Sequence, residues 1–448
     1  MASSTTPSES RALDLRAPLN SLVSPAATAG AEMVAPALCG RAEPLGGSEA
    51  DWLNELPSGT GRTAALRERL AGADPAFVYV TPDGETIAAF GTVARFEASG
   101  PGRFQTARRW LDGLAAAAEG DAPPVAVGGF SFVEGSAGSP AGFGDAVFVV
   151  PAELWWSGEP ARRITWRRLD GAAEGGRAAR ALARPKLPEW TEADWASGVR
   201  RVLDLIESGE LDKAVLARAV SIERPDPIDP AGVFESLARE HPGCFRFLFR
   251  PSGEAAFVGA SPERLVSCRD GVVVSDAVAG TAADGALLTS AKDRSEHDFV
   301  VRHIVEALAP LTRSIRADAE PSLQHHRRLT HLRTRVAGTA AAGAHVLDLV
   351  ERVHPTPAVA GSPPAAALET IRSLEPAHRG WYAGAIGWMR GDGAGDFAVG
   401  IRSALLHGRS AVLFAGAGIV AGSDPAAEWA ETEVKLTVMR EAIDDAAR

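Results

Sequence analysis

Continuous and alternating apolar runs divide the chain into many short segments with the period of β-strands. In residues 77–91, FVYVTPDGETIAAFG, two such runs flank Pro82-Asp83-Gly84, a sequence typical of a hairpin turn. Further strands are predicted in VAVGGFSF, AVFVVP, RRITWRRL, LDKAVLARAVSIE, FRFLFR, AAFVGA, GVVVSDAV, YAGAIGWM, FAVGIRSALL and SAVLFAGAGIV.

Fewer segments have the period of a helix. RFQTARRWLDGLAAAA and TEADWASGVRRVLDLIESG are amphipathic, and the second begins with Thr191 as cap and Asp194 in its first turn. Two more helices are predicted near residues 290–309 and 364–374. The strands occur in runs joined by short Gly/Asp turns, without strict βαβ alternation. This order predicts an α+β fold with large, mostly antiparallel sheets flanked by helices.

Composition changes along the chain suggest where the domain begins. Residues 1–45 are rich in Ser, Ala, Pro and Gly and have weak periodicity, so we expect a mostly flexible leader, of which a part can pack. The most linker-like internal stretch is ARPKLPEW at 183–190. We therefore expect one domain over 46–448, with an N-terminal part at 46–185 and a second part at 191–448.

Charge and cysteine content exclude several classes of partner. The net charge of −11, from 57 acidic and 46 basic residues, argues against nucleic acid but allows a small anion in a local basic pocket. The three cysteines are widely spaced, and no CxxC occurs, which favours a reducing compartment. The opening residues lack the apolar core of a secretory signal, and FVVPAELWW is too short to span a membrane. A cytoplasmic protein without a membrane partner is expected.

Several common binding and catalytic motifs are absent or only partly matched. AGAGIVAG at 415–422 lacks the GxGxxG spacing and a following helix, so a dinucleotide site is not predicted. GDGAGD at 391–396 fits a hairpin turn better than a calcium loop. No HExxH, GxxxxGK[ST] or GxSxG pattern occurs, which removes the zinc, nucleotide and serine-hydrolase interpretations.

Two predicted helices carry carboxylates beside an apolar stripe. In EWAETEVKL (428–436), Glu428, Glu431 and Lys435 fall within about 60° of arc. In SAKDRSEHDFVVRHIVEAL, Asp293 and Glu296 are likewise three residues apart. Each set by itself also fits a solvated face with an i,i+4 ion pair. Together they suit a hard divalent cation such as Mg²⁺, which one or two protein carboxylates commonly hold.

Three charged residues interrupt apolar segments. Lys213 heads a buried strand, where an uncharged amine could act as a base, although a strand-end lysine can also reach solvent. Glu263 lies between two strands in GASPERLVS and could equally be a turn residue paired with Arg264. Arg402 within FAVGIRSALL fits an anion clamp. These residues suggest an acidic small molecule held by Mg²⁺ and arginine, with Lys213 and Glu263 as acid–base partners.

Over residues 191–448 the sequence resembles the chorismate-utilising enzymes that begin menaquinone, siderophore and tryptophan synthesis. The segments that carry the resemblance are LDKAVLAR, FVGASPERL, AVAGT, AKDRSEHDFV, HPTPAVAG, RGWYAGAIGW, IRSALL, FAGAGIVAGSDP and EWAETEVKL. VGGFSF resembles a strand motif in the more variable N-terminal part of the family, and residues 1–45 are not covered. The resemblance implies the chorismate-binding fold of anthranilate synthase component I.

The resemblance also implies a ligand set. A glutamate from each of two helices binds Mg²⁺ in this family, and these positions match Glu296 and Glu431, with Glu428 beside the metal. The metal anchors the ring carboxylate of chorismate. The positions that match substrate-binding groups of the family are Gly280, Thr281, His354, Ala358, Tyr382, Arg402, Gly416, Gly418 and Lys435.

Three positions discriminate among the activities of the family. Lys213 stands where ammonia-using members have glutamine, so it resembles the water-using branch. Ala279 stands where aminodeoxychorismate synthases have a nucleophilic lysine, and Ala358 resembles isochorismate synthases. Tyr382 does not discriminate between isochorismate and salicylate synthases. The resemblance implies an isochorismate synthase, with Lys213 as general base and Glu263 as general acid.

Two alternatives remain open at this stage. One is a salicylate synthase, which forms isochorismate and then eliminates pyruvate, and the other is a chorismate-binding protein without turnover. A water-using enzyme needs no glutaminase subunit, and a monomer is expected from the resemblance.

Overall fold

The hairpin predicted at Pro82-Asp83-Gly84 is confirmed in the computed structural model of the chain. Gly84 has a φ of 90°, a conformation that glycine adopts without steric cost. Its N–H donates to the Thr81 carbonyl at 3.0 Å, and the Thr81 N–H donates to the Glu85 carbonyl at 2.9 Å. The structure describes residues 35–448 except 60–62, 136–142, 159, 172–186, 254, 283–290, 326 and 328–329.

Within these ranges, twelve strands form a first sheet, whose pairs are antiparallel apart from β1 with β5. In spatial order they are β18 (Gly361–Ser362), β10 (Lys213–Glu223), β22 (Ser410–Ile419), β21 (Ser403–His407), β12 (Ala255–Ser261), β11 (Phe245–Ser252), β2 (Ala76–Val80), β3 (Thr86–Phe90), β8 (Glu153–Trp156), β9 (Arg162–Arg168), β1 (Leu38–Pro44) and β5 (Glu119–Gly120).

Ten described strands form the second sheet, and all of its pairs are antiparallel. In spatial order they are β15 (Thr312–Ala317), β17 (Thr330–Ala340), β14 (Val272–Ala282), β13 (Arg264–Arg269), β20 (Gly395–Val399), β19 (Ala385–Arg390), β6 (Val125–Phe130), β7 (Ala146–Val150) and β4 (Ala94–Ala98), while β16 (Ser322–His325) pairs with β17. The prediction of large, mostly antiparallel sheets is confirmed.

The helices flank the sheets. They are α1 (Gly47–Glu55), α2 (Thr63–Gly72), α3 (Arg103–Ala116), α4 (Glu192–Glu207), α5 (Pro230–Glu240), α6 (Ala291–Leu308), α7 (Val346–Val353), α8 (Pro364–Leu374) and α9 (Pro425–Ala446). The predicted cap of α4 is present as a capping box: the Thr191 hydroxyl accepts from the Asp194 N–H, and the Asp194 carboxylate accepts from the Thr191 N–H. In the described part of the chain, no helix is long and apolar enough to cross a membrane.

The end of the expected leader packs against the rest of the domain. Strand β1 begins at Leu38, inside the segment expected to be flexible, and pairs with β9 over its whole length. Leu38 is fully buried. The composition of residues 35–45 gave no sign of this, because the partner strand lies more than a hundred residues away. The remainder of the expected leader, residues 1–34, lies outside the described residues, and residues 35–448 form one compact unit.

The chain crosses twice between the sheets at neighbouring points. After β12 of the first sheet, Pro262 and Glu263 lead into β13 of the second; after β20 of the second, residues 400–402 lead into β21 of the first. The Val399 N–H donates to the Glu263 carbonyl at 3.1 Å, and the Ala260 N–H donates to the Arg402 carbonyl at 3.0 Å. Glu263 and Arg402 are thus held side by side, where the sheets exchange strands.

This crossing corrects the prediction of a single strand in FAVGIRSALL. The segment is two strands in different sheets, and Arg402, at the junction, has a φ of 51°. An arginine is uncommon in this left-handed region. Its apolar neighbours gave the segment a continuous strand pattern, while the change of sheet depends on tertiary packing.

Candidate functional site

An open cavity lies at the crossing of the two sheets and reaches the first turns of α9. It is lined by Val215, Pro262, Glu263, Val278, Ala279, Gly280, His331, Ala358, Val359, Arg379, Tyr382, Ile401, Arg402, Phe414, Ala415, Gly416, Gly418, Glu428, Glu431 and Lys435. Ten of the site residues proposed from the sequence are in this lining, although they come from positions 263 to 435. The fold therefore brings most of the proposed site into one place.

Glu263 is buried in the wall of the cavity, with a side chain only 2% exposed. Burial, reinforced by the nearby Asp276 carboxylate, raises its pKa to about 8, and the charge of Lys213 and the Thr356 hydroxyl act in the opposite direction. Its Oε1 atom has no hydrogen-bond partner among the described residues. At neutral pH the carboxyl is therefore mostly protonated and has an oxygen available to a ligand.

Lys213 is the first residue of β10, where it pairs with Ser362 of the edge strand β18. Its side chain is 1% exposed, so the buried location expected from the sequence is observed. Lys213 is not among the described lining residues, but its charge acts on Glu263. The base and the acid proposed from the sequence are therefore electrostatic neighbours.

His331 connects two parts of the lining. Its Nδ1 atom is 3.0 Å from the Gly280 carbonyl oxygen, and its Nε2 atom is 3.3 Å from Nη2 of Arg402. Because a guanidinium can only donate, Nε2 is the acceptor and Nδ1–H is the donor to Gly280. His331 is therefore neutral in this arrangement, and it orients both Arg402 and the Gly280 backbone toward the cavity.

A second wall is built around Tyr382. Its ring stacks on Phe414 with a centroid distance of 5.1 Å, and burial raises its pKa to about 12, so the hydroxyl keeps its proton. A Cβ atom at Gly416 would lie 3.3 Å from the Tyr382 hydroxyl and 3.0 Å from the Leu216 carbonyl oxygen. The Gly416 carbonyl also accepts from Nζ of Lys435 at 2.9 Å. Glycine at 416 therefore allows the strand, the tyrosine and the lysine to meet.

The N-terminal half of α9 supplies carboxylates to the cavity. Asp424 caps the helix by accepting from the Ala426 and Ala427 N–H groups, which places Glu428 in the first turn. Glu428 is buried, and Glu431 forms an ion pair with Lys435 at 2.5 Å. Two carboxylates one turn apart, facing a ligand cavity, are a donor set that suits Mg²⁺ together with water and a ligand anion.

Not every proposed metal or substrate residue is described. Glu296 lies in α6 and Thr281 in β14, but the side chains of both are outside the described structure. Among the described residues, no group of three or more His, Cys, Asp or Glu side chains could hold a metal ion. The contribution of Glu296 to a metal site therefore remains a prediction.

His354 differs in place from the other proposed substrate residues. It does not belong to the described lining, and its Nε2 atom donates to the Phe132 carbonyl at 2.9 Å. Burial lowers its pKa to about 4, so the ring is neutral. Ala358, four residues further, does line the cavity. His354 thus contacts the backbone that supports the cavity wall.

Two lining residues with polar side chains were not singled out from the sequence. His331 begins the segment HLRTRVAG, and Arg379 begins RGWYAGAIGW, one of the segments that carry the resemblance. Both contact backbone from distant segments: His331 reaches Gly280, and Arg379 reaches Val215. The only sequence signal for either residue was a polar side chain at the edge of an apolar run. Such a signal does not identify the distant backbone group that the side chain contacts.

Comparison with known proteins identifies the family. The family model described as chorismate binding enzyme matches residues 165–444. The chain is 43% identical over 260 residues to the salicylate biosynthesis isochorismate synthase of Pseudomonas aeruginosa, an alignment that covers 56% of this chain and 54% of that protein. The chain thus aligns with about half the length of this relative.

Solved structures agree over a longer range. MenF, the menaquinone-specific isochorismate synthase of Escherichia coli, superposes with a TM-score of 0.73 and 25% identity, covering 92% of this chain and 95% of that one. Anthranilate synthase component I of Streptococcus pneumoniae superposes with a TM-score of 0.64 and 21% identity, over 79% of this chain and 92% of that one, which confirms the predicted fold type. From the matched family model and the geometry of the cavity, we conclude that the chain belongs to the family of chorismate binding enzymes.

Proposed function

We propose that the protein is a Mg²⁺-dependent isochorismate synthase, which converts chorismate to isochorismate. The observation that carries the proposal is the buried Glu263 carboxyl, whose pKa of about 8 keeps it protonated beside a ligand cavity. A hydroxide is a poor leaving group, and a neutral carboxylic acid can protonate it as it departs. The names of the P. aeruginosa and E. coli relatives support the same activity.

The cavity suits a small dianion. Arg402 and Lys435 both line it, and each has donors that can reach a carboxylate. The polar Tyr382 hydroxyl and the Gly280 backbone lie on the same surface. Local cations of this kind compensate for the net charge of −11, which by itself would oppose the entry of an anion.

On the resemblance, Glu296 and Glu431 would hold the metal, with Glu428 beside it. When bound, Mg²⁺ would supply positive charge that neutralises and orients the ring carboxylate of the substrate. Lys435 already pairs with Glu431, so it limits the repulsion between the Glu428 and Glu431 carboxylates. Their partial burial at the cavity edge favours an ion that retains some of its water.

The proposed reaction exchanges one hydroxyl for another across the ring. Lys213 acts in its uncharged form, in which the amine takes a proton from a water whose oxygen bonds to C2. The ring double bonds shift, the bond from C4 to its hydroxyl breaks, and Glu263 gives its proton to the departing oxygen, which leaves as water. Lys213 has then gained one proton and Glu263 has lost one, and exchange with solvent restores both. General base and general acid each contribute about 10²–10⁴ in rate in typical enzymes.

The proposal extends to assembly and location. Because water is the nucleophile, no glutaminase subunit is needed, and a monomer would suffice. Cys39, Cys244 and Cys268 take part in no disulfide among the described residues, which fits the reducing cytoplasm.

Incubation of the purified protein with chorismate and Mg²⁺ tests the proposal, with products resolved by liquid chromatography and mass spectrometry. Isochorismate without salicylate or pyruvate is expected, and an EDTA control should be inactive until Mg²⁺ is restored. Salicylate with equimolar pyruvate would show that the protein is a salicylate synthase. No turnover, with chorismate binding retained, would leave a chorismate-binding protein.

A further inference from the structure

Arg379 is the centre of a buried hydrogen-bond network beside the cavity. Its side chain is 2% exposed. One terminal nitrogen, Nη1, donates to the Val359 carbonyl at 2.7 Å, and the other, Nη2, donates to the Val215 carbonyl at 2.7 Å. The guanidinium also stacks over Phe132, with its carbon 4.3 Å from the ring centroid. One side chain therefore joins the strand β10 to the loop that carries Ala358.

Glu375 completes the network. Its carboxylate accepts from Nε of Arg379 at 2.9 Å and from Nη2 at 2.5 Å, a bidentate arrangement. The same carboxylate accepts from the Ala217 N–H at 2.8 Å. The side chain of Glu375 is 5% exposed, and Glu375 does not belong to the described lining of the cavity. The pair is therefore anchored to β10 at two points, Val215 and Ala217.

These bonds replace a missing neighbour strand. Beyond Lys213 and Ala214, which pair with β18, the outer edge of β10 has no strand beside it among the described residues. The Val215 N–H donates to the Ala360 carbonyl at 2.8 Å, and the next two groups on this edge are satisfied by Arg379 and Glu375. The loop of residues 354–360 is therefore tied to the strand of Lys213 by one backbone hydrogen bond and by the side chain of Arg379.

The same network also reaches the part of the cavity wall that contains Tyr382. The Tyr382 N–H donates to the Arg379 carbonyl at 3.1 Å, so the turn that carries Tyr382 begins at Arg379. The 354–360 loop also contains Thr356, whose hydroxyl acts on Glu263. The buried Glu375–Arg379 ion pair is thus connected to the strand that begins at Lys213, to the turn that carries Tyr382 and to the loop whose Thr356 acts on Glu263.

We infer that the Glu375–Arg379 pair is a positioning element, which fixes the strand of Lys213 relative to the loop of Ala358 and so places the attacking water against the substrate ring. The inference rests on the proposed function for its kinetic consequence. A displacement of reacting groups by 1 Å can cost about 10² in rate. Because Glu375 does not line the cavity, its loss should act on turnover more than on substrate affinity.

The test compares Glu375→Gln with Glu369→Gln, an exposed glutamate on helix α8, whose C-cap is Glu375. Gln at 375 keeps the size of the side chain but loses the charge and one acceptor oxygen. We expect kcat to fall by about 10–100-fold with KM within about threefold, while Glu369→Gln equals the wild type. Hydrogen exchange, followed by mass spectrometry, should become faster in peptides covering 213–217 and 354–360 only in Glu375→Gln.

A second variant, Arg379→Ala, removes the guanidinium group. Added guanidinium ion should restore its turnover, but ammonium at equal ionic strength should not, since only the planar ion can donate two parallel hydrogen bonds to the Glu375 carboxylate. Unchanged kcat in folded Glu375→Gln, or equal rescue by both ions, would overturn the inference. If the wild type itself shows no turnover, the proposed function fails, but the exchange measurement still tests whether the ion pair holds the strand and the loop together. Unchanged exchange of both peptides in Glu375→Gln would refute that role.

Discussion

Replacing Glu263 by glutamine should change how the stability of the protein depends on pH. In the unfolded chain this carboxyl ionises near its ordinary pKa of 4.5, whereas burial and Asp276 raise the pKa to about 8 in the folded protein. Between these values the folded protein holds a proton that the unfolded chain has released. Raising the pH therefore favours unfolding of the wild type, and glutamine at this position abolishes that contribution.

The size of the effect follows from the two pKa values. At about 1.4 kcal/mol per pH unit, the interval from 4.5 to about 8 corresponds to about 5 kcal/mol. About 4 kcal/mol of this should appear between about pH 5 and about pH 9. Over that interval, the free energy of unfolding of Glu263→Gln should rise relative to the wild type by this amount.

Equilibrium urea unfolding, followed by tryptophan fluorescence at several pH values, measures the difference. Glu369→Gln, an exposed substitution, should track the wild type at every pH. A Glu263→Gln difference that stays constant with pH would show that the carboxyl is already ionised in the folded protein. Glu263 could then not serve as a general acid at neutral pH, and the mechanism would be wrong.

Three further predictions concern turnover. The rate should fall above about pH 8 as Glu263 loses its proton. Asp276→Asn should shift this fall to lower pH, because the Asp276 carboxylate raises the pKa of Glu263. A pH–rate profile in which the fall does not shift would exclude an effect of Asp276 on the pKa of Glu263. Lys213→Ala should abolish turnover but largely spare Mg²⁺-dependent chorismate binding, measured by calorimetry, and near-full activity would disprove its role as base. His331→Leu should raise KM by about tenfold or more because Arg402 loses an acceptor, as judged from the cost of a charged hydrogen bond. His331→Gln, which can both donate and accept, should retain most of the affinity in the same steady-state assay, and an equal loss in both variants would argue against the proposed orientation of Arg402.

Local sequence signals predicted the elements whose stabilising contacts are also local. The turn at Pro82-Asp83-Gly84 depends on one glycine and three neighbouring residues, and the cap of α4 depends on Thr191 and Asp194. Both were predicted from the sequence and are present. Strand β1 depends instead on β9, far along the chain, so its short polar sequence was interpreted as part of a leader.

The site shows the same division. The helical period placed Glu428, Glu431 and Lys435 on one face of α9 from the sequence alone. A charge between apolar segments singled out Glu263, and the resemblance added Tyr382. Neither could reveal that Glu263 stands where the chain passes between two sheets, because that depends on which strands pair.

The sequence by itself determined the fold class, the family and half of the residues that line the cavity, since periodicity, turns and family motifs are properties of contiguous segments. Tertiary structure decided the rest. It split FAVGIRSALL between two sheets at Arg402, raised the pKa of Glu263 by burying it near Asp276, and gave His331 and Arg379 their partners. Each of these outcomes requires groups from distant parts of the chain to meet in a buried place, where desolvation and hydrogen-bond geometry act together.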